Sequence, residues 1–313
     1  MKNRLSANRA RRANQVPRGS IVAMITPFRS GRVDEESLRR VVEFQIKNGT
    51  DALLPCGTTG ESATLSHAEH HRVVELTVQY AAGRVPVIAG TGSNSTDEAL
   101  ELTRHAADSG CDAALLICPY YNKPTQRGII AHFTRIADAV DIPQILYNIP
   151  GRTGVNMLPE TLASLADHPR IVGVKEASGN LSQITQLMSL LRAKKSTRAS
   201  PFAVLSGEDA LTFVILALGG TGVISATANV IPRQIANLVH AFEKGRADQS
   251  RNIQLDLIEI IDLMFVETNP IPAKTACALM GLCTLEFRLP LCELSPVNLG
   301  KLKAVLKKYH VIR

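Results

Sequence analysis

Lys175 closes an apolar, β-branched run, Ile171 to Val174, and is followed by Glu176, Ala177, Ser178, Gly179 and Asn180. A strand that carries a lysine to its end must pair the cation or leave a neutral amine. A neutral amine is a nucleophile towards a carbonyl. Glu176 is a poor partner, because adjacent strand residues point to opposite faces. Five further apolar runs end in polar or glycine-rich segments: "CGTTGES" from Cys56, "CPYYNKP" from Cys118, "YNIPGRTG" from Tyr147, "SGEDA" from Ser206 and "ISATAN" from Ile224. The polar residues at these ends are Thr58, Thr59, Glu61, Tyr120, Tyr121, Tyr147, Arg152, Lys175 and Glu208.

One lysine, three tyrosines, two threonines and an arginine make a coherent chemical set. The lysine can form an imine with a 2-keto acid, and the protonated imine acidifies the neighbouring carbon. A tyrosine hydroxyl bonded to other hydroxyls can move the protons. Backbone amides in the Gly-flanked turn "GTTGE" can bind a carboxylate. An arginine can hold a second carboxylate by two parallel hydrogen bonds. The expected reaction is of aldolase type, with no external cofactor and a covalent imine on Lys175. No clustered His or Asp set suggests a metal site, and no GxSxG elbow occurs.

The elements that must position these residues repeat along the chain. Apolar runs begin near Ser20, Asp51, Val85, Asp112, Pro143, Arg170, Phe202 and Thr221. Most are separated by segments of helical period such as "SLRRVVEFQIKNG" and "HRVVELTVQYAAG", several of which stop at Gly49, Gly83 or Gly110. Eight buried strands alternating with helices predict a parallel sheet covered on both faces, and a (β/α)8 TIM barrel more readily than an open sheet. The first strand is not followed by GxGxxG, which weighs against dinucleotide binding. After the eighth strand the sequence reads as helices: "IPRQIANLVHAF", "NIQLDLIEIIDLMF", "PIPAKTACALMG" and "SPVNLGKLKAVLKKY". The expected organisation is a basic tail over 1–19, a catalytic barrel over 20–245 and a C-terminal helical extension over 246–313. In a barrel of this kind the chemistry lies at the C-terminal strand ends, where the polar set falls.

Composition narrows the class. The chain has 313 residues, 45% hydrophobic and 20% charged, as in an ordinary globular protein. No apolar run is long enough to span a bilayer, so no membrane partner is expected. The formal charge is +7, but Lys2, Arg4, Arg9, Arg11, Arg12 and Arg18 precede Ser20 and the first acid is Asp34; without those six, 29 basic residues face 28 acidic ones. The body therefore carries no nucleic-acid-binding signal. The tail lacks a hydrophobic segment and is no secretory signal. It reads as a disordered extension, with an Arg-, Ser- and Ala-rich composition resembling a transit peptide, and "VPRGS" resembles a cleavage linker. Cys56, Cys111, Cys118, Cys277, Cys283 and Cys292 form no CxxC pair. Buried thiols in a reducing compartment, and a cytoplasmic enzyme, are the expectation.

The blocks "GTTGESATL", "PYYNKP", "ILYNIPGRTG", "GVKEASGN", "LSGEDA", "GVISATANV" and "NPIPAK" occur in that order. Together they resemble the dihydrodipicolinate synthase family, the Schiff-base class of pyruvate-dependent lyases, from about Ser20 to the C-terminus. The resemblance implies that Lys175 forms the imine with pyruvate and that Tyr147 is the proton donor and acceptor. It implies that Thr58 links Tyr147 to Tyr121 of a neighbouring subunit in a hydroxyl relay. Thr59 and the Thr58 amide would bind the pyruvate carboxylate, Arg152 the carboxylate of L-aspartate 4-semialdehyde, and Gly207 and Ile224 would line the pocket. The implied assembly is a homo-oligomer, a dimer of dimers, acting in the diaminopimelate and lysine pathway. The alternative within the chemistry is an N-acetylneuraminate lyase or a 2-keto-3-deoxy sugar acid aldolase, which fits less well: neuraminate lyases have no counterpart of Arg152, and their "GSTGE" differs from "GTTGE". A non-catalytic metabolite-sensing barrel would be expected to have lost Lys175 or the tyrosines.

A second site is implied by the same resemblance. "ESATLSHAEHH", "GSNSTDEALE" and Tyr120 match the lysine pocket of feedback-inhibited members, with Ser62, Ala63, His67, His70, Asn94, Glu98 and Tyr120 as its residues. Physical reading offers a plainer alternative for part of it: Ser66 with Glu69, and Ser95 with Glu98, both fit capping boxes, and His67 and His70 would share one face of a surface helix. The loop "LRAKKSTRASPF", around Lys194 and Lys195, is longer and more basic than the resemblance leads one to expect.

Overall fold

A computed structural model describes residues 18–194 and 201–313; residues 1–17 of the basic tail and 195–200 of the basic loop lie outside the described residues. The eight expected strands are present: β1 Gly19–Ala23, β2 Ala52–Leu54, β3 Ile88–Gly90, β4 Ala113–Ile117, β5 Gln144–Asn148, β6 Ile171–Glu176, β7 Ala203–Ser206 and β8 Gly222–Ser225. They form one sheet in the order β2-β1-β8-β7-β6-β5-β4-β3. A single parallel bridge between Leu53 and Val87 adjoins the two ends of that order. This is a nearly closed (β/α)8 barrel, with helices between the strands and further helices at the C-terminus. Nearly every strand residue is buried, as a sheet covered on both faces requires. Among the described residues no helix is long and apolar enough to cross a membrane.

The chain divides into two compact units, one holding 88–223 and the other 19–87 with 224–313. In the first, β4, β5, β6 and β7 pair in parallel, with Tyr147 directly opposite Lys175 and Asn148 opposite Glu176. The register of β5 on β6 shifts between Gln144 and Ile145. Gly173 lets β6 approach β7: a Cβ there would lie 2.7 Å from the Ala203 carbonyl oxygen. Helices Thr96–Ser109, Gln126–Ala139 and Leu181–Ala193 begin on the side chains of Ser95, Thr125 and Asn180, each accepting from a backbone amide of the first turn. Gly110 ends the first of these with φ 98°, as the sequence leads one to expect of a helix stop.

In the second unit, helix Glu35–Lys47 is capped by Asp34 and helix His67–Ala81 by a full Ser66–Glu69 capping box. Gln45 donates to the Ala228 carbonyl at 2.8 Å and accepts from Thr50 at 2.7 Å, which satisfies a buried amide completely enough to keep it in the core. The C-terminal helices are Pro232–Glu243, Ala247–Asp256, Ile258–Leu263, Ile271–Leu279 and Pro296–Lys308. The stretch read as one helix, "NIQLDLIEIIDLMF", is therefore two. Leu257 keeps right-handed backbone angles, and i to i−4 bonds pass through it from Ile253 and on to Ile261, so helical bonding continues across the interruption. All six cysteines are free; five are buried and Cys292 is exposed.

Candidate active site

Lys175 is the fifth residue of β6 and only 7% exposed. Its Nζ stands 4.2 Å from the centre of the Tyr147 ring, where the ring's negative face attracts a cation. Among the described residues no carboxylate forms an ion pair with Lys175. Glu176 does not serve it: one carboxylate oxygen accepts from the Ser178 amide at 2.7 Å and the other from Asn148 Nδ2 at 3.0 Å. Alternation along the strand thus separates the amine from the nearest acid, as the sequence reading expected. Gly207 follows β7 and packs against this lysine: a Cβ there would meet Lys175 Cγ at 2.9 Å and Cε at 3.0 Å.

Arg152 is exposed and sits on a one-turn helix, Pro150–Thr153, immediately after β5. Tyr121 is 89% exposed and holds φ 71°, a left-handed conformation that is uncommon for a non-glycine residue. Its amide reaches the Thr153 carbonyl at 3.4 Å, which joins the tyrosine turn to the arginine turn. Tyr120 is less exposed, at 37%. Asn122 donates to the Asn94 carbonyl at 2.9 Å, so the segment carrying Tyr120 and the segment carrying Asn94 meet.

Glu98 departs from the expected capping box. The Ser95 side chain does accept from the Glu98 amide, but the Glu98 carboxylate turns away and takes the Ser93 hydroxyl instead. The reciprocal half of the box is missing because a nearer hydroxyl competes for it. The Glu98 carboxylate is thus tied to Ser93 rather than to its own helix cap.

In the other unit, Thr58 and Thr59 form a 3-10 turn, Thr58–Gly60, after β2. Thr59 is buried and accepts from Asn269 Nδ2 at 2.9 Å, while the Gly60 carbonyl accepts from Thr26 at 2.7 Å. Cys56 and Glu61, on either side, both have positive φ. Glu61 is fully buried and pairs at 2.6 Å with Lys274, which is also fully buried and lies 4.0 Å from the Phe28 ring centre. Burial pushes the Lys274 ammonium below its ordinary value, against the pull of Glu61. The turn is therefore fixed from below by an ion pair and from the side by Asn269. Ser62 and Ala63 lie on the next 3-10 turn, Ser62–Thr64. His67 is exposed and His70 buried, so the two do not share an equally accessible face: His70 lies inward, its carbonyl accepting from Cys56 Sγ at 3.7 Å. Glu69 caps their helix and is held by Arg288, which pulls its carboxyl down to about 2. Ile224 is buried within β8.

The sequence reading gave no role to Lys274, Asn269, Asn148 or Glu176. A signal existed for the first: a lysine inside the apolar helix "IPAKTACAL" needs a buried acid, and Glu61 was one of two acids, with Glu208, among the strand-end residues.

A parallel barrel that ends one strand on a buried lysine stacked on a tyrosine has the architecture of a lysine-imine enzyme. The Dihydrodipicolinate synthetase family profile matches residues 16–309. The 4-hydroxy-tetrahydrodipicolinate synthase of Pelobacter propionicus is 57% identical over 295 residues, 94% of this chain and 99% of that protein. A chloride-inhibited dihydrodipicolinate synthase from Acinetobacter baumannii, solved with pyruvate, is 42% identical with a TM-score of 0.90 and covers 94% of this chain and 99% of that one. The enzyme from Cyanidioschyzon merolae, solved with lysine bound, is 40% identical with a TM-score of 0.88 over the same shares. The chain belongs to the dihydrodipicolinate synthase family.

Proposed function

We propose that the chain condenses pyruvate with L-aspartate 4-semialdehyde to 4-hydroxy-tetrahydrodipicolinate through an imine on Lys175. The observation that carries this reading is the Lys175 amine, buried at a strand end, unpaired by any carboxylate among the described residues and 4.2 Å from the Tyr147 ring. The amine adds to the keto carbon of pyruvate and water leaves, giving the imine. Loss of a methyl proton converts the imine to an enamine, whose carbon attacks the aldehyde. The substrate's own amino group then displaces Lys175 and closes the ring. Every step is a proton transfer, an addition or an elimination, and none is a net oxidation or reduction, so no external cofactor is called for.

Tyr147 is the proton donor and acceptor, and Thr58 and the partner subunit's Tyr121 complete its hydroxyl relay. The exposure and left-handed strain of Tyr121 support this: such a ring has little reason to be held outwards unless something meets it. Thr59 and the Thr58 amide take the pyruvate carboxylate, Arg152 takes that of the semialdehyde, and Gly207 and Ile224 contribute backbone. The shared tyrosine calls for at least a dimer, and a dimer of dimers is the proposed homo-oligomer. Lysine is the inhibitor, bound through Ser62, Ala63, His67, His70, Asn94, Glu98 and Tyr120; the meeting of the Tyr120 and Asn94 segments through Asn122 supports that reading. The test is a coupled assay with both substrates: consumption of pyruvate only when the semialdehyde is present supports the proposal, and consumption with N-acetylmannosamine or a sugar aldehyde instead would replace it.

A further inference from the structure

Four polar side chains behind Lys175 and Tyr147 have no place in the chemistry described above. Asn148 and Glu176 follow Tyr147 and Lys175 in sequence and oppose each other across β5 and β6. By alternation their side chains lie on the face opposite to the amine and the ring. Both are buried, and Glu176 keeps its carboxyl there with no cation among its partners. Burial pushes that carboxyl up; the bonds from Ser178 and Asn148 pull against it.

The network is directional and extends outwards. Asn148 Nδ2 donates to Glu176 and also to Asn156 Oδ1 at 2.9 Å, while Asn148 Oδ1 accepts from the Met157 amide at 3.0 Å. Asn156 Nδ2 donates to Gln183 Oε1 at 2.6 Å, and Gln183 Nε2 returns a bond to Asn156 Oδ1 at 3.2 Å. Gln183 stands in the first turn of helix Leu181–Ala193. The segment between the two anchors, Asn148 and Asn156, is the turn that carries Arg152.

Burying the Glu176 carboxylate and the amides of Asn148 and Gln183 is costly, and an apolar cluster would pack the same space with less desolvation. What the polar set supplies is register. The β5–β6 ladder already shifts between Gln144 and Ile145, so backbone bonds alone have shown that they tolerate an offset here. A slip of one residue would send Tyr147 to the other face. A specific donor–acceptor pair two residues beyond Leu146 fixes the pairing where it matters.

We propose that Asn148 and Glu176 are positioning residues, whose hydrogen bond, anchored through Asn156 and Gln183, holds Tyr147 in register with Lys175 and holds the turn bearing Arg152. The inference rests on the imine reading of Lys175. It predicts a split in kinetics: proton transfer and semialdehyde binding suffer, and pyruvate binding does not.

The experiment compares Glu176→Gln, Asn148→Asp and the double exchange Asn148→Asp with Glu176→Gln, which restores one hydrogen bond with its polarity reversed. Turnover is counted per site that pyruvate and borohydride convert to a Lys175 adduct, so an unfolded fraction does not enter. Each single variant should lose about tenfold or more in kcat and raise KM for the semialdehyde, with KM for pyruvate within about twofold, and the double should recover most of the loss. Gln183→Ala leaves Glu176 both its donors, and should raise KM for the semialdehyde even if Glu176→Gln fails to fold. Unchanged kinetics per adducted site in the variants that fold would overturn the inference. So would a loss that the double exchange does not reverse. Absence of any Lys175 adduct in the wild-type chain would overturn the imine reading itself, and this inference with it.

Discussion

Tyr147 and Lys175 are direct partners in the parallel pairing of β5 and β6, and the lysine Nζ lies 4.2 Å from the centre of the tyrosine ring. The pairing brings an amine and a phenol to one face of the sheet at the C-terminal ends of two neighbouring strands, while Asn148 and Glu176 carry the polar support on the other. The chain holds a second buried lysine, Lys274, and the contrast is informative. Lys274 is neutralised by Glu61 at 2.6 Å; Lys175 has no such partner among the described residues. The paired lysine fixes a turn, and the unpaired one is assigned the chemistry.

Gly207→Ala tests how tightly the amine is placed. The added Cβ would lie 2.7 Å from Ala177 Cβ as well as within 3.0 Å of Lys175 Cγ and Cε. Such contacts force the lysine side chain to shift. The expected result is a folded protein whose single-turnover rate of adduct formation with pyruvate falls by about tenfold or more. An unchanged rate would mean that the amine has slack in its position.

Arg152→Ala should separate the two substrates. A charged bidentate contact to a carboxylate is worth on the order of a few kcal/mol, so KM for L-aspartate 4-semialdehyde should rise by one to two orders of magnitude, about what that energy gives. KM for pyruvate should move little. Equal changes for both substrates would make Arg152 a structural residue of its turn.

Lys274→Met leaves the Glu61 carboxylate buried without its cation. Breaking a buried pair in this way costs about 3–5 kcal/mol, measured as a loss of unfolding free energy in denaturant. Lys274→Met combined with Glu61→Gln should recover part of it, since no unpaired charge remains. A single variant that costs less than about 1 kcal/mol would show that the pair is not what holds the "GTTGE" turn.

Glu98→Ala should abolish inhibition by lysine and leave uninhibited turnover largely intact. Its carboxylate bonds Ser93 and not the Ser95 amide that a capping box requires, so the helix keeps its Ser95 cap without it. Inhibition by lysine that survives the substitution would return Glu98 to a local role beside Ser93.

Much of this was legible in the sequence because it is local. Alternating β-branched runs and helical periods mark all eight strands, and Ser66 with Glu69 marks a helix start that the structure keeps. Lys175 stood out because a cation at the end of an apolar run contradicts its surroundings. The remainder depends on partners far apart in the chain or on competition between near neighbours. Lys274 and Glu61 are 213 residues apart, and no period connects them. The Glu98 carboxylate takes the Ser93 hydroxyl over the Ser95 amide, and spacing cannot tell which donor lies nearer. The interruption at Leu257 keeps helical bonding throughout, so nothing in the helical pattern of "NIQLDLIEIIDLMF" announces it. Asn148 and Glu176 were hidden by their position beside the more conspicuous residues they support.

The central claim is that Lys175 carries the reaction as an imine. The most direct measurement is to treat the wild-type chain with pyruvate and borohydride, digest it, and locate the added mass by peptide mass spectrometry. The account predicts one reduced pyruvate adduct per chain, on Lys175, and none in Lys175→Ala, which should fold normally and lose nearly all turnover. An adduct on another lysine, or turnover retained by Lys175→Ala, would contradict it.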